Sequence, residues 1–327
     1  NIALHKHPYS VLTLIKPLLE KNNSFDYSFS INKGGLMRSK PDVNNLNSTL
    51  SSGLYLVATP IGNLMDLSIR AIEILRNVDI IACEDTRVTS KILNRHTIKT
   101  RMKAYHEHNA NRMRPILLRT IKNGGSIALV SDAGTPTISD PGYKLVKECV
   151  EYGLDITAMP GANAAITGLV LSGLPTNRFL FAGFLNSKTR QRCQELAELS
   201  NVPTTLIFYE SAKRLTATLK DMVKQLGDRP AAIARELTKR HEEIRRDTLS
   251  KLTAHYLNVG APKGEIVIVV GPPLKKTPFS NKDLDDLVLK QLQTLSVRDT
   301  TIKIAIETGL PKRQIYSRAL KLLETRS

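Results

Sequence analysis

From Gly53 onward the sequence alternates short apolar runs with stretches in which apolar residues recur every three or four positions. Leu54-Tyr55-Leu56-Val57-Ala58 is a nearly continuous apolar run that stops at Thr59-Pro60-Ile61-Gly62-Asn63, which predicts a buried strand and a tight loop. Ser68 is placed to cap a helix carrying Ile69, Ile72 and Leu75 on its apolar side. Val78–Ala82 reads as a second strand ending in Cys83-Glu84-Asp85-Thr86-Arg87, followed by a helix over 88–95. Met102–Tyr105 reads as a short strand, and 110–122 as a helix ended by Gly124-Gly125. Ser126–Val130 is another apolar strand, running into Ser131-Asp132-Ala133-Gly134-Thr135-Pro136. A helix over 141–152 closes at Gly153, and a strand over 155–158 follows.

Strands apolar on both faces, joined by helices, predict a parallel sheet covered on both sides. Ligands of such sheets sit beyond the carboxyl ends of the strands. The loops with unusual composition, 59–63, 83–87 and 131–142, all fall at such ends. After Pro160-Gly161 comes a helix of small residues, Ala162–Leu171, and then a second alternation. Its strands are expected at 179–184, 204–209, 230–235 and 265–270, and its helices at 189–199 and 212–225. Alternating charge over 242–248 predicts an exposed edge strand. The expected organisation is an α/β protein with an N-terminal domain at 53–162 and a C-terminal α/β domain at 163–273 ended by Gly271-Pro272-Pro273.

The remainder, 280–325, is expected to be helical. Leu284, Leu287, Val288 and Leu292 recur at helical spacing. Ile302, Ala305 and Ile306, then Gly309-Leu310-Pro311, then Ile315, Ala319, Leu320 and Leu323 suggest two helices about a glycine-bearing turn, as in a helix-turn-helix. Lys312, Arg313, Arg318 and Lys321 fall on its second helix; a plain helical hairpin with a charged, solvated face is the alternative. Residues 1–52, rich in Asn, Ser and Lys, show no sustained period and are expected to be a disordered or non-native leader, with Met37 a plausible start.

Charge adds a partner class. The chain of 327 residues has a net charge of +17, which favours nucleic acid or an acidic membrane surface. Six basic and three acidic residues lie in 1–52, and eleven and six in 275–327, so most of the excess sits on the body. That distribution suits a broad phosphate-contacting surface better than a tethering arm. No apolar run approaches the length of a transmembrane helix. Cys83, Cys149 and Cys193 are far apart with no CxxC, which argues against a disulfide framework or structural zinc and fits a reducing cytoplasm. His106-x-His108 lacks an evident third ligand, so no metal is expected. Aromatic residues make up only 5%, with no Trp, which argues against a row of single-strand stacking platforms.

The loops narrow the chemistry. Neither GxxxxGK[ST] nor a GxGxxG after the first strand occurs, so triphosphate and dinucleotide sites lack support. Ser131–Pro136 sets a carboxylate beside glycine and small residues. That suits a ligand with hydroxyls and a cationic centre that approaches the backbone closely. S-adenosylmethionine, with its ribose diol, amino-acid tail and sulfonium, is such a ligand; a structural turn is the alternative.

Gly53–Leu64, with Leu-Tyr-Leu-Val-Ala-Thr-Pro-Ile-Gly-Asn at its centre, resembles the opening motif of the ribosomal RNA small subunit methyltransferase I family, within the tetrapyrrole methylase-like (class III) methyltransferases. Glu84-Asp85-Thr86-Arg87, Tyr105-His106-Glu107-His108-Asn109, Ser131–Pro136 and Asp140-Pro141-Gly142 match in order. So do Pro160-Gly161-Ala162-Asn163-Ala164-Ala165, Phe208-Tyr209-Glu210-Ser211, Arg235-Glu236-Leu237-Thr238-Lys239 and Lys263-Gly264-Glu265. The resemblance spans 53–273, and the helical tail is similar to a C-terminal module of many members. One departure is the loop after Gly183-Phe184-Leu185, where Asn186-Ser187-Lys188 stands in place of Pro and a Lys-Ser pair.

The resemblance implies two α/β domains of the tetrapyrrole methylase type with the cofactor in the cleft between them, in a homodimer. It implies S-adenosylmethionine-dependent methylation of a ribose 2′-hydroxyl, on a cytidine in the decoding region of 16S ribosomal RNA, within the small ribosomal subunit. Pro60, Ile61, Gly62, Ser131, Asp132, Ala133, Gly134, Ala164, Ala165, Phe208, Tyr209, Gly264 and Glu265 match its motifs at strand ends or helix starts and become the expected cofactor pocket. The acid–base candidates are Glu84, Asp85, His106 and Glu210, with Arg87 as the partner of the paired carboxylates. The phosphate candidates, expected to flank the cleft mouth, are Arg87, Arg178, Lys188, Arg190, Arg192, Arg214, Lys239 and Arg240. Two alternatives keep different parts of this reading: a same-fold methylase acting on a tetrapyrrole-like polycarboxylate, and a DNA-binding regulator using 298–323.

Overall fold

The computed structural model describes residues 50–274, 281–308 and 310–324. The expectations for residues 1–49 and for the turn glycine Gly309 lie outside the described residues. Residues 50–52, assigned above to a disordered leader, belong to the fold. The Ser52 hydroxyl donates to the carbonyls of Ile121 (2.9 Å) and Gly125 (3.1 Å), and the Tyr55 hydroxyl donates to the Ser51 carbonyl (2.8 Å).

The first sheet contains β1 (Gly53–Val57), β2 (Ile80–Cys83), β3 (Met102–Ala104), β4 (Ser126–Val130) and β5 (Ile156–Met159), in the order β3-β2-β4-β1-β5. Every pairing is parallel, as the apolar runs predict. The crossovers are α1 (Ile69–Asn77), α2 (Thr86–Arg95), α3 (Ala110–Lys122) and α4 (Tyr143–Glu151). Ser68 caps α1 by accepting the Ala71 N–H, but the buried face of that helix is Ala71, Ile74 and Leu75, while Ile69 is 78% exposed. The buried stripe thus differs from the expected Ile69, Ile72 and Leu75 and shares only Leu75 with it. Ile69 falls in the first turn, next to the single 3₁₀ turn Leu64–Asp66, where its side chain meets solvent.

Because β2, β4 and β1 are neighbours, the loops leaving their carboxyl ends stand side by side. They are stitched together: Thr59 and Gly134 form an antiparallel bridge, and the Thr59 hydroxyl donates to the Ser131 carbonyl (3.1 Å).

The second sheet contains β6 (Phe179–Phe184), β7 (Thr205–Ser211), β8 (Pro230–Arg235), β9 (Glu243–Thr248) and β10 (Glu265–Val270), in the order β6-β7-β10-β8-β9. Only β6–β7 is parallel; the other pairings are antiparallel, and β9 is the charged edge strand anticipated above. Helices α5 (Ala164–Ser172), α6 (Thr189–Leu199), α7 (Leu215–Leu226) and α8 (Leu249–Val259) accompany it. Helix α8 was not anticipated, although Leu249, Leu252, Thr253 and Tyr256 bury a face at helical spacing.

The small residues of α5 have a packing reason. A Cβ on Gly168 would come within 2.9 Å of Val267 Cγ1, so glycine lets the helix lie on the sheet. Ile61, from the loop after β1, is buried in the same layer with Ala165, Leu169, Ala234 and Val267. The opposite face of the sheet buries Phe208, Leu219, Met222, Leu252 and Ile268.

The C-terminal helices are α9 (Asn281–Leu292), α10 (Val297–Thr308) and α11 (Lys312–Glu324). Leu284, Val288, Ile304, Ile315 and Ala319 form their core. Arg318, read above as part of a charged face, reaches across to Asp285, its Nη2 2.7 Å from Oδ2.

Candidate functional site

Beyond the ends of β1, β2 and β4 lies a cleft of about 480 Å³, within the roughly 300–1,000 Å³ usual for small-molecule and cofactor sites. The first sheet's loops supply Ile61, Glu84, Asp132–Thr135, Ile138, Ser139 and Asp140. Asn163, Ala164, Phe184, Tyr209–Ala212, Ala234, Leu237 and Gly264–Val267 complete the wall.

Of the expected cofactor residues, Ile61, Asp132, Ala133, Gly134, Ala164, Tyr209, Gly264 and Glu265 line this cleft. Pro60, Gly62, Ser131, Ala165 and Phe208 do not, and each has a structural task or placement instead. Pro60 is buried in the loop that sends Ile61 to the wall. Gly62 lies so close to the 237–239 turn that a Cβ would fall 2.4 Å from Lys239 Cγ. The Ser131 hydroxyl donates to the Gly134 carbonyl (3.3 Å) within the loop. The Ala165 N–H donates to the Tyr209 hydroxyl (3.3 Å), fixing the ring that forms the wall. Phe208 is fully buried because strand alternation sends it to the face opposite Tyr209.

The acid–base candidates separate sharply. Asp85 caps α2, accepts the Arg87 N–H (2.8 Å) and pairs with the Arg87 guanidinium (2.6 Å), which holds its carboxyl down at about 2. Neither residue lines the cleft. His106 stands near Glu84 but outside the lining set, and its Nδ1 is buried without a hydrogen-bond partner. Glu210 does line the cleft, with its oxygens already engaged: it accepts from the Ser211 N–H (2.7 Å) and the Thr218 hydroxyl (2.6 Å), with Arg214 Nε 3.4 Å away. Glu84 is half-buried, and burial together with the nearby Asp132 raises its carboxyl above the ordinary value. Asp132 is itself held in place by the Asp85 N–H, which donates to its Oδ1 (3.0 Å).

Asp140, in the Asp140-Pro141-Gly142 motif but outside the acid–base candidates, also lines the cleft. Burial pushes its carboxyl up to about 6, reinforced by Glu84 and Asp132 and opposed by a hydrogen bond from Ser131. The loop that presents it is strained: Thr137 and Ser139 adopt left-handed backbone at φ 74° and 61°. The loop is also braced, with the Thr135 hydroxyl donating to the Ala162 carbonyl (3.2 Å). A signal was present in the sequence, since a second Asp–Gly segment in one strand-end loop is more than a turn needs.

The phosphate candidates also divide. Arg192 is a correction. It is only 4% exposed, lies 2.6 Å from Asp221, and donates to the Ser187 carbonyl (3.2 Å), so it is interior structure. Arg178 precedes β6, whereas Phe184 at the far end of that strand lines the cleft; the strand's length puts them roughly 20 Å apart, so Arg178 does not flank the mouth. Arg214 donates to the carbonyls of Leu185 (2.7 Å) and Asn186 (3.1 Å). Lys239 is held between Glu236 (2.9 Å) and Glu265 (2.7 Å). Lys188, Arg190 and Arg240 are exposed and carry no ion pair among the described residues.

Glu84, Asp132, Asp140, Glu210 and Glu265 line the cleft, and no Lys, Arg or His is among its lining residues. Arg214 stands beside Glu210 and Lys239 pairs with Glu265, so Glu84, Asp132 and Asp140 give the cleft its negative character, which suits a cationic ligand and disfavours a phosphate or polycarboxylate. The aromatic and aliphatic surfaces of Tyr209, Ile138, Leu237 and Val267 offer a bed for a heterocycle.

An all-parallel sheet whose strand-end loops face a mixed second sheet across an acidic cleft is the architecture of a class III methyltransferase. The chain belongs to the tetrapyrrole (corrin/porphyrin) methylase family, whose profile matches residues 53–253. It is 48% identical over 277 residues to ribosomal RNA small subunit methyltransferase I of Mesorhizobium japonicum, covering 84% of this chain and 94% of that protein. It is 46% identical to the protein of the same name from Synechocystis, covering 82% and 98%. Among solved structures it shares its fold with a cobalt precorrin-4 methyltransferase, at a TM-score of 0.51 and 16% identity, over 67% of this chain and 94% of that one. The methyl donor is S-adenosylmethionine, and the acidic lining fits its positive sulfur and ammonium group. S-adenosylmethionine is therefore expected to bind about tenfold tighter than the product, which has lost the sulfonium charge. Calorimetry with both ligands checks this, and Asp132→Asn should narrow the difference.

Proposed function

We propose that the protein transfers a methyl group from S-adenosylmethionine to the ribose 2′-hydroxyl of a cytidine in the decoding region of 16S ribosomal RNA, within the small ribosomal subunit and as a homodimer. The cleft serves the α/β halves 53–162 and 163–273. The observation that carries this reading is the contrast between the acidic cleft and the strongly basic molecule around it. The cofactor takes the acidic pocket, and the polyanion meets the exposed cations outside. The names of the similar proteins supply the RNA class. The acidic lining speaks against a polycarboxylate substrate in the same pocket.

When bound, the cofactor supplies a methyl group on a positively charged sulfur. Ile61, Asp132, Ala133, Gly134, Ala164 and Tyr209 would hold the cofactor, and it would offer that methyl group to an oxygen nucleophile. A hydroxyl is a weak nucleophile, so its proton needs an acceptor in the cleft. Asp140 takes that proton: it lines the cavity, has no cationic partner among the described residues, and has its carboxyl raised by burial to about 6. Burial holds it in that range, with Glu84 and Asp132 adding to the effect. Tyr209 forms the wall against which the reactants are aligned.

The test is methyl transfer to small subunits that lack the modification, followed by digestion and mass spectrometry. The expected product is 2′-O-methylcytidine at one site; a methylated base, or no transfer to RNA, overturns the reading. Lys188 and Arg190 are exposed and follow Phe184 of the cleft wall by four and six residues. Replacing both with Ala should lower the slope of log affinity against log salt by about 1.4, at about 0.7 per phosphate contact on single strands. Filter binding over a salt series measures it.

A further inference from the structure

Strand β6 ends irregularly. Phe181 pairs with Ile207, yet Gly183 pairs with Phe208, so one extra residue is inserted between them. Gly183 takes a left-handed backbone at φ 66°. In a regular strand, residues three apart point to opposite faces. Here the bulge brings both Phe181 and Phe184 onto Tyr209, with ring centroids 4.8 and 5.4 Å away and edge-on geometry in each case. A bulge beside a site commonly re-aims a side chain.

Phe184, thus re-aimed, lines the cleft and is still 58% exposed. Phe181, by contrast, packs with the layer that contains Ile61 and Val267. A large apolar ring left open at the lip of a polar cleft is available to a planar partner. Within the next six residues come Lys188 and Arg190, both exposed, at the start of α6. The buried Arg192 and the half-buried Arg214 hold that loop by donating to the carbonyls of Asn186 and Ser187.

We propose that Phe184 is the stacking platform for the unstacked base of the nucleotide being methylated, with Lys188 and Arg190 on the phosphates beside it. This rests on the RNA reading above and adds the residue that receives the base. Ring stacking is sequence-tolerant and uses an apolar ring, and Phe184 leaves 58% of its surface open while packing against Tyr209 in T-shaped geometry. The aromatic-poor composition excludes a row of such platforms and leaves room for one.

The experiment compares Phe184→Ala, Phe184→Leu and Phe184→Trp with wild type, on unmodified small subunits, at saturating S-adenosylmethionine. Phe184→Ala should lose about 10- to 100-fold in kcat/KM for the RNA. Phe184→Leu should lose nearly as much, and Phe184→Trp should stay within a few-fold of wild type. Calorimetric affinity for S-adenosylmethionine should fall far less than kcat/KM for the RNA in all three, and binding also shows that they fold. A loss of cofactor affinity in Phe184→Ala as large as its loss in kcat/KM would make the ring a cofactor wall and overturn the proposal. So would a fully active Phe184→Leu. With active wild type and unaffected Phe184→Ala, only this inference fails; wild type inactive on RNA removes the RNA reading and this inference together.

Discussion

Asp140→Asn is expected to reduce kcat by about 10²- to 10⁴-fold, the usual contribution of a positioned proton acceptor. Asparagine keeps the shape and can still meet the Ser131 hydroxyl, but it cannot take a proton. The pH profile gives an independent readout. The wild-type carboxyl releases its proton at about 6, so kcat/KM for the cofactor should rise with pH through that value and then level off. In kcat the same limb should lie lower, because a bound sulfonium favours the ionised carboxylate. Both limbs should vanish in the variant.

Stability moves the other way. The folded carboxyl is raised above its unfolded value, so ionising it costs the folded state. That cost is absent below the unfolded value near 3.8, grows as pH rises to about 6, and is complete above. Asp140→Asn should therefore melt at a higher temperature than wild type at pH 8, which separates lost chemistry from lost fold. Wild-type kcat in the variant would return the role to Glu84.

Arg192→Ala should cost about 3–5 kcal/mol of folding stability, the usual result of stripping one partner from a buried ion pair. Its side chain is 4% exposed and that of Asp221 is 14% exposed, so the remaining carboxylate would be desolvated without compensation. The Ser187 carbonyl would also lose a donor. Urea unfolding measures this through the midpoint at unchanged slope. The double variant Arg192→Met with Asp221→Leu should recover most of the loss, because the pair contributes little net energy over a well-packed apolar contact. An Arg192→Ala protein of wild-type stability with a shallower salt dependence would put the guanidinium back on the RNA-binding surface.

Arg192 also shows where sequence reading stops. In Thr189-Arg190-Gln191-Arg192 the two arginines look alike, yet a helix turns them to different sides: Arg190 meets solvent and Arg192 meets Asp221 on the neighbouring helix α7. That partner lies 29 residues away, beyond any local pattern. Strands were legible because burial on both faces writes a continuous apolar run, as in Ser126–Val130 and Glu265–Val270. Helix α8 was passed over because its apolar positions follow directly on a charged edge strand, with no intervening loop. The cleft residues at strand ends were found from their loops, while Phe208 was taken for Tyr209's companion although alternation separates neighbours on a strand. The role of Asp140 is not legible in sequence because its raised proton affinity comes from burial, with Glu84 and Asp132 adding to it, and only the folded loops create that surrounding.

The wall of the cleft runs from Ile61 to Val267 and draws on both sheets. Neither sheet alone contains it, so the cofactor recognises the assembled molecule and ignores the unfolded one. At a concentration one hundred times its dissociation constant it would add about 2.7 kcal/mol to folding stability. S-adenosylmethionine is then a fastener as well as a reagent: when its supply falls, opening of the two sheets becomes more frequent and the chain more readily degraded.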